Sequence, residues 1–201
     1  MPPMPPVTKA LMLICTAVFC VQLLLGSYIP LVGWFALWPL DSGRFMPWQP
    51  LTYAFLHGDP LHLFFNMLGL WMFGAELERL WGYKRLLTFL LASVLTAAAC
   101  QMVFTSLRHS YAPTLGASGG LFGLLLAYGM LFPNRTIMPL FPPIPMKART
   151  FVAVFGGLEL VQGIFGPEGI AHFAHLGGML GGWLMIRFWR GQAPFPSRRR
   201  R

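Results

Sequence analysis

Three short stretches of this chain carry side chains that could do chemistry together. Ser118 lies in Gly116-Ala117-Ser118-Gly119-Gly120, His175 lies in Ala174-His175-Leu176-Gly177-Gly178, and His62 precedes Asn66 by one helical turn. A serine flanked by glycines at a helix start has an exposed hydroxyl and free N–H groups beside it, which is what a nucleophile with an oxyanion site requires. The same glycines form the GxxxG pairs Gly116/Gly120 and Gly119/Gly123, a small-residue packing motif. Both readings can hold, because close packing brings a base near. An imidazole at His175 could take the Ser118 proton and return it to a leaving amine. As a lone histidine it could equally be a packed, hydrogen-bonded residue, and His172, three residues earlier, competes for the role. His62 and Asn66 share one helix face at i and i+4, where they can donate to an oxyanion or bond one helix to another.

The elements that must hold these residues are read from the apolar runs. The 201 residues are 56% hydrophobic and 10% charged, against about 25% charged in a soluble domain. The composition predicts an all-α, polytopic membrane protein, a bundle of six transmembrane helices at roughly 20 apolar residues each. The spans are expected at about 7–26, 60–80, 86–107, 116–132, 150–165 and 170–189. Residues 1–6 form a short cytoplasmic N-terminus, 7–190 the membrane domain, and 191–201 a basic cytoplasmic tail. Lys9 before an apolar core could mark a signal peptide, but no A-x-A-like site follows Leu25, so a retained signal-anchor helix is expected.

Charge supports the same arrangement. With loops assigned to alternating sides, thirteen of the fifteen Lys and Arg residues fall on one side, and only Arg44 and Arg108 on the other. That asymmetry predicts cytoplasmic termini. It assigns the net charge of +9 to topology, not to nucleic acid; Arg198–Arg201 read first as a solvated tail of topological value and second as a contact with anionic lipid. Residues 27–59 form an outer loop, apolar and aromatic (Trp34, Phe35, Trp38, Phe45, Trp48) but too broken by Pro and Gly to span. Pro133 to Pro145 reads as an extended inner connector. Cys15, Cys20 and Cys100 lie inside apolar runs and offer neither a disulfide framework nor ligand spacing.

Polar groups inside apolar helices are costly and mark function. His57, His62, His109, His172 and His175 all fall on the outer side or in the outer halves of spans, as does Ser118. His62, Asn66, Ser118 and His175 thus converge at similar depth from three spans, which predicts one wet cavity open to the outside. Glu159 lies mid-span without a sequence partner, and is either neutral or paired inside the bundle. Glu76, Glu78 and Arg79 end the second span, where ion pairing to a neighbouring loop suffices. No histidine has the HExxH spacing of a metalloprotease, and Asp41 and Asp59 lie in the outer loop, not in spans as an aspartyl protease would need.

Taken together these residues resemble the rhomboid intramembrane serine proteases. The resemblance rests on Trp48-Gln49-x-x-Thr52-x-x-Phe55-x-His57, on His62-x-x-x-Asn66, on Gly74 to Gly82 with Glu78, on Gly116-Ala117-Ser118-Gly119, and on Ala174-His175-Leu176-Gly177-Gly178. It covers about Phe45 to Gly182. It implies Ser118 as nucleophile and His175 as general base and acid, preferred over His172 by the Ala-His-x-x-Gly register. His62, Asn66 and the Ser118 backbone N–H would line the oxyanion hole. Phe122 would pack against the catalytic histidine, with Gly116, Gly119 and Gly178 supporting. Members commonly carry Trp-Arg where this chain has Trp48-Gln49. The resemblance further implies a Ser–His dyad without a third group, since no Asp lies within a span to orient His175. No cofactor or metal is expected. The implied partners are transmembrane protein substrates and the lipid bilayer, cut near the outer face of a multi-pass protein of a bacterial inner membrane. The rival readings are a client-binding relative without activity and a haem or metal protein using His62 and His175.

Overall fold

The structure, a computed structural model, describes residues 3–140, 143–166 and 171–192. Position 170, where the sixth span is expected to begin, and the end of the basic tail with Arg198–Arg201 lie outside the described residues. The chain is mostly helical. Helix α1 (Pro6–Leu25) opens with proline at its first position, where the absent N–H costs nothing. It has no side-chain cap of its own. Instead Val7 N–H and Thr8 N–H donate to the Glu78 carboxylate at 2.9 and 2.7 Å, and Thr8 Oγ1 adds a third bond at 2.7 Å. A carboxylate at a helix amino end also meets the positive pole of its dipole.

The loop at residues 27–59 holds short helices. Two of them are α2 (Leu31–Phe35) and α3 (Gln49–Thr52), with single 3-10 turns at Leu40–Ser42 and Tyr53–Phe55. Gln49, fully buried, ties the loop together. Its Oε1 accepts from Trp38 N–H at 3.2 Å, and its Nε2 donates to the carbonyls of Trp34 and Arg44 at 3.3 and 3.1 Å. The loop in turn grips the strap before Ser118. Leu37 and Thr114 exchange backbone bonds of 2.8 Å, and Gly116 N–H donates to the Tyr53 carbonyl at 2.9 Å.

The segment expected at 60–80 is helical but not uniform. Helix α4 (Pro60–Gly69) is capped by Asp59, whose carboxylate accepts from His62 N–H at 2.8 Å. A π-helical turn (Leu70–Gly74) then leads into α5 (Ala75–Trp81). Such turns insert one residue into the helical ladder and rotate the residues beyond it about the axis. Gly82, at φ +78°, turns the chain into α6 (Tyr83–Arg108), the long central helix. Helix α7 (Ser118–Leu131) has 14 residues. The connector after it is more than extended chain: β1 (Thr136–Ile137) pairs antiparallel with β2 (Met146–Lys147). Helices α8 (Ala148–Phe165) and α9 (His172–Trp189) complete the bundle.

Helices α6, α7 and α9 form the tightest packing, and glycine sets it. A Cβ at Gly178 would overlap the Gly119 carbonyl, and one at Gly182 would lie 3.1 Å from Gly123 Cα, so this stripe faces α7. The adjacent stripe faces α6: Cβ atoms at Gly177 and Gly181 would meet the backbone of Thr96, Ala97 and Ala92 at 2.9 Å. The spacings Gly177/Gly181 and Gly178/Gly182 read in the sequence as two GxxxG pairs that would pack on the fourth span; only the second does so. Each serves a different neighbour, because successive residues on a helix point about 100° apart. Beneath them Leu77, Leu86, Phe89, Leu124, Ala127 and Ile186 form a buried core. Among the described residues, three helices, α1, α6 and α8, are long and apolar enough to cross a membrane, and α1 and α8 leave large residues such as Leu24 and Phe165 exposed.

Candidate active site

Ser118 is the first residue of α7. Because the first intrahelical acceptor, the Ala117 carbonyl, receives Leu121 N–H at 3.1 Å, the N–H groups of Ser118, Gly119 and Gly120 have no acceptor within the helix. Gly116 makes that start possible. Its φ is +122°, and a Cβ there would lie 2.6 Å from His62 Nε2 and 3.7 Å from Asn66 Nδ2. Only glycine satisfies both the backbone and the imidazole beside it. Ser118 Oγ and His175 Nε2 are 2.8 Å apart. The His175 ring stacks on Phe122, with centroids 4.3 Å apart and planes 7° from parallel.

His62 and Asn66 approach from α4. Gly58 N–H reaches His62 Nδ1 across a long 3.5 Å contact, which favours the tautomer with its proton on Nε2, toward Gly116. Asn66 is buried, and among the described residues its Nδ2 has no hydrogen-bond partner. A buried donor without a partner is costly and calls for an explanation; a group that pairs only with a reacting species is one. Ser118, His175, His62 and Asn66 all line one cavity of about 840 Å³. Its remaining wall is largely apolar, with Phe65, Met72, Phe73, Phe151 and Phe155 between α4 and α8.

The histidines divide by position. His62, His172 and His175 line this cavity. His57 is buried behind His62, with ring centroids 5.2 Å apart, and its backbone pairs with the Gln22 side chain of α1 in two 3.1 Å bonds. Burial, and then the neighbouring His62, lowers its pKa from 6.5 to about 4. His109 ends α6 in the left-handed conformation.

An acidic side chain lies beside His175, although no Asp lies within a span. Glu159 of α8 brings Oε2 to 2.8 Å from His175 Nδ1 and 2.6 Å from His172 Nδ1. The His172 contact has hydrogen-bond geometry; at His175 the distance is short but the N–H direction misses the oxygen. The carboxylate beside the two imidazoles belongs to a glutamate, not an aspartate. A lone carboxylate in an apolar helix was itself the signal. Gln101 of α6 is a second residue without a sequence cue. Its Oε1 accepts from Ala174 N–H at 3.1 Å, so α6 caps the amino end of α9 one residue before His175.

Against this geometry, similarity to known proteins becomes specific. The family model of the Rhomboid domain matches residues 44–191, which include every residue of the cavity described above. The chain belongs to the rhomboid family. Similar proteins include the rhomboid protease GlpG of Yersinia pestis (strain Pestoides F), 28% identical over 187 residues. That of Klebsiella pneumoniae subsp. pneumoniae is 32% identical over 183 residues. These alignments cover 92% and 90% of this rhomboid but 62% of each relative, so the chain spans less than two-thirds of the length of the curated proteins it matches.

Proposed function

We propose that this rhomboid is an intramembrane serine endopeptidase acting through Ser118 and His175. The observation that carries the reading is the 2.8 Å contact between Ser118 Oγ and His175 Nε2, made at a helix start with free N–H groups. In the reaction, Ser118 Oγ attacks a substrate carbonyl while His175 Nε2 takes its proton. The oxyanion is met by Ser118 N–H, His62 Nε2–H and Asn66 Nδ2–H. As the tetrahedral adduct collapses, His175 returns the proton to the leaving amine, and water then cleaves the acyl-enzyme by the same steps in reverse. Gly116, Gly119 and Gly178 keep backbones close enough to hold this geometry, and Phe122 fixes the plane of the imidazole.

The proposed setting is a six-span bundle with both termini cytoplasmic and the cavity open to the outer side of a bacterial plasma membrane. Three membrane-length apolar helices, the asymmetry of Lys and Arg, and bacterial relatives support it. Helix α7, at 14 residues, is about 21 Å long against a hydrocarbon core of about 30 Å, so its Ser118 end would lie below the outer surface. The proposed substrates are transmembrane helices that unwind locally near that surface, since a helix hides its carbonyls. The apolar wall between α4 and α8 suits such a segment.

The test is a fluorophosphonate probe on purified, detergent-solubilised protein, with mass spectrometry of the labelled peptide. Label is expected on Ser118 and is expected to vanish in Ser118→Ala and His175→Ala while both variants stay folded. Label retained in Ser118→Ala would refute the nucleophile, and a folded wild type that takes no label would point to a client-binding protein.

A further inference from the structure

We infer that Glu159 is a positioning residue for the Ser118–His175 pair, its carboxylate holding the base in the tautomer that leaves Nε2 free for the serine proton. The inference rests on the reading of Ser118 and His175 given above and adds a third member to it. Glu159 lies in the middle of α8, a helix otherwise apolar enough to cross a membrane, and its side chain is only 13% exposed. A carboxylate in such a place persists only with partners. Its partners are two imidazoles from α9, spaced i and i+3 so that both turn to α8. One oxygen, Oε2, lies 2.6 Å from His172 Nδ1 and 2.8 Å from His175 Nδ1. An acceptor beside Nδ1 keeps the proton there, and the lone pair is left on Nε2. In His175 that lone pair is on the atom 2.8 Å from Ser118 Oγ.

His172 has a distinct part. Its ring is buried, and its bond to Oε2 is the better aligned of the two. It therefore fixes the oxygen in place beside His175. Catalytic hydrogen bonds are often poorly aligned before substrate arrives and tighten in the complex, which suits the off-line approach of Glu159 to His175. When Nε2 receives the serine proton, the imidazolium forms beside a carboxylate that balances it. Around the ring, α4 presents His62, α7 Ser118, α6 the neutral Gln101, and α9 its own His172; the carboxylate of α8 is the counter-charge.

The same three residues could be taken for a metal centre, since their ligand atoms lie within 4.8 Å of one another. The spacing is that of a hydrogen bond at His172 and a close approach at His175, not of a metal's ligand shell. Ligands bound to one zinc ion at about 2.0–2.1 Å sit roughly 3.3 Å apart in a tetrahedral site, whereas these oxygen–nitrogen distances are 2.6 and 2.8 Å.

The experiment measures inactivation by the fluorophosphonate probe at several concentrations, separating the maximal rate from the apparent binding constant. Wild type, Ser118→Ala, Glu159→Gln and Glu159→Asp are compared, each with its melting temperature. Glu159→Gln keeps the size of the side chain and is expected to slow the maximal rate about 10- to 1000-fold, below the roughly 10⁴-fold seen where such a carboxylate is fully aligned. The binding constant and melting temperature should change little, and Glu159→Asp should recover part of the rate. A wild-type rate in Glu159→Gln, with Ser118→Ala unlabelled, overturns this inference alone. Label in Ser118→Ala overturns the nucleophile and this inference together. A wild-type rate that changes with added Zn²⁺ or chelator, and no longer does so in Glu159→Gln, overturns it in favour of a cation site.

Discussion

At the scale of single residues, donors and acceptors are left unequal. Asn66 Nδ2 is buried without a partner, while Ser118 and His175 already face one another. A donor held ready for charge that develops later costs stability at rest and returns it in the transition state. Asn66→Ala should therefore lower turnover about 10- to 1000-fold, about 1.4–4 kcal/mol. It should do so with little change in apparent substrate affinity, and it should not lower the melting temperature. Steady-state cleavage with melting curves checks this, and unchanged turnover would reduce Asn66 to packing. These residues were legible because each sits in a short pattern with its glycines or its i+4 neighbour. Glu159 was not legible in the same way. Nothing in Leu158-Glu159-Leu160 names its partners; only the packing of α8 beside α9 brings His172 and His175 to it.

At the scale of elements, the positions of the helices were readable but their contacts were not. The apolar runs mark the helical segments to within a few residues, because burial and lipid exposure both select long apolar stretches. The π turn at Leu70–Gly74 leaves no such trace, since Leu-Trp-Met-Phe-Gly reads as ordinary helix. The twin glycine stripes of α9 were visible as a pattern, yet the pattern could not say that two neighbours share them. Their division makes a sharp test possible. Gly178→Leu must push α9 away from the Gly119 carbonyl and should cost at least about 1–3 kcal/mol of stability by overpacking, together with probe labelling. Loss should appear as a lower melting temperature and a slower reaction with fluorophosphonate; a fully active, equally stable variant would remove α9–α7 contact as a support of the site.

At the scale of the whole molecule, the loop at residues 27–59 is a clamp, and its His57 leads to an expected pH dependence of stability. His57 is buried, its ring nitrogens lack partners, and its backbone ties the loop to Gln22 of α1. Its pKa of about 4 in the fold lies below the ordinary 6.5, so between these values the unfolded chain takes up a proton that the folded chain refuses. Stability is then fullest above pH 6.5 and declines as pH falls toward 4, by at most about 3 kcal/mol. Melting temperatures of wild type and His57→Gln between pH 6.5 and 5 test this: the variant should show the flatter dependence, and parallel curves would acquit His57. The clamp was only partly legible, because Gln49 and Gln22 work through backbone groups that no side-chain pattern announces. The far end of α1 carries an implication for how the protein is made. Its first N–H groups are met by Glu78, some 70 residues later in the chain. A ribosome delivers α1 well before α5, yet the amino end of α1 finds its acceptor only once α5 has emerged, so this helix is locked by a residue written far downstream of it.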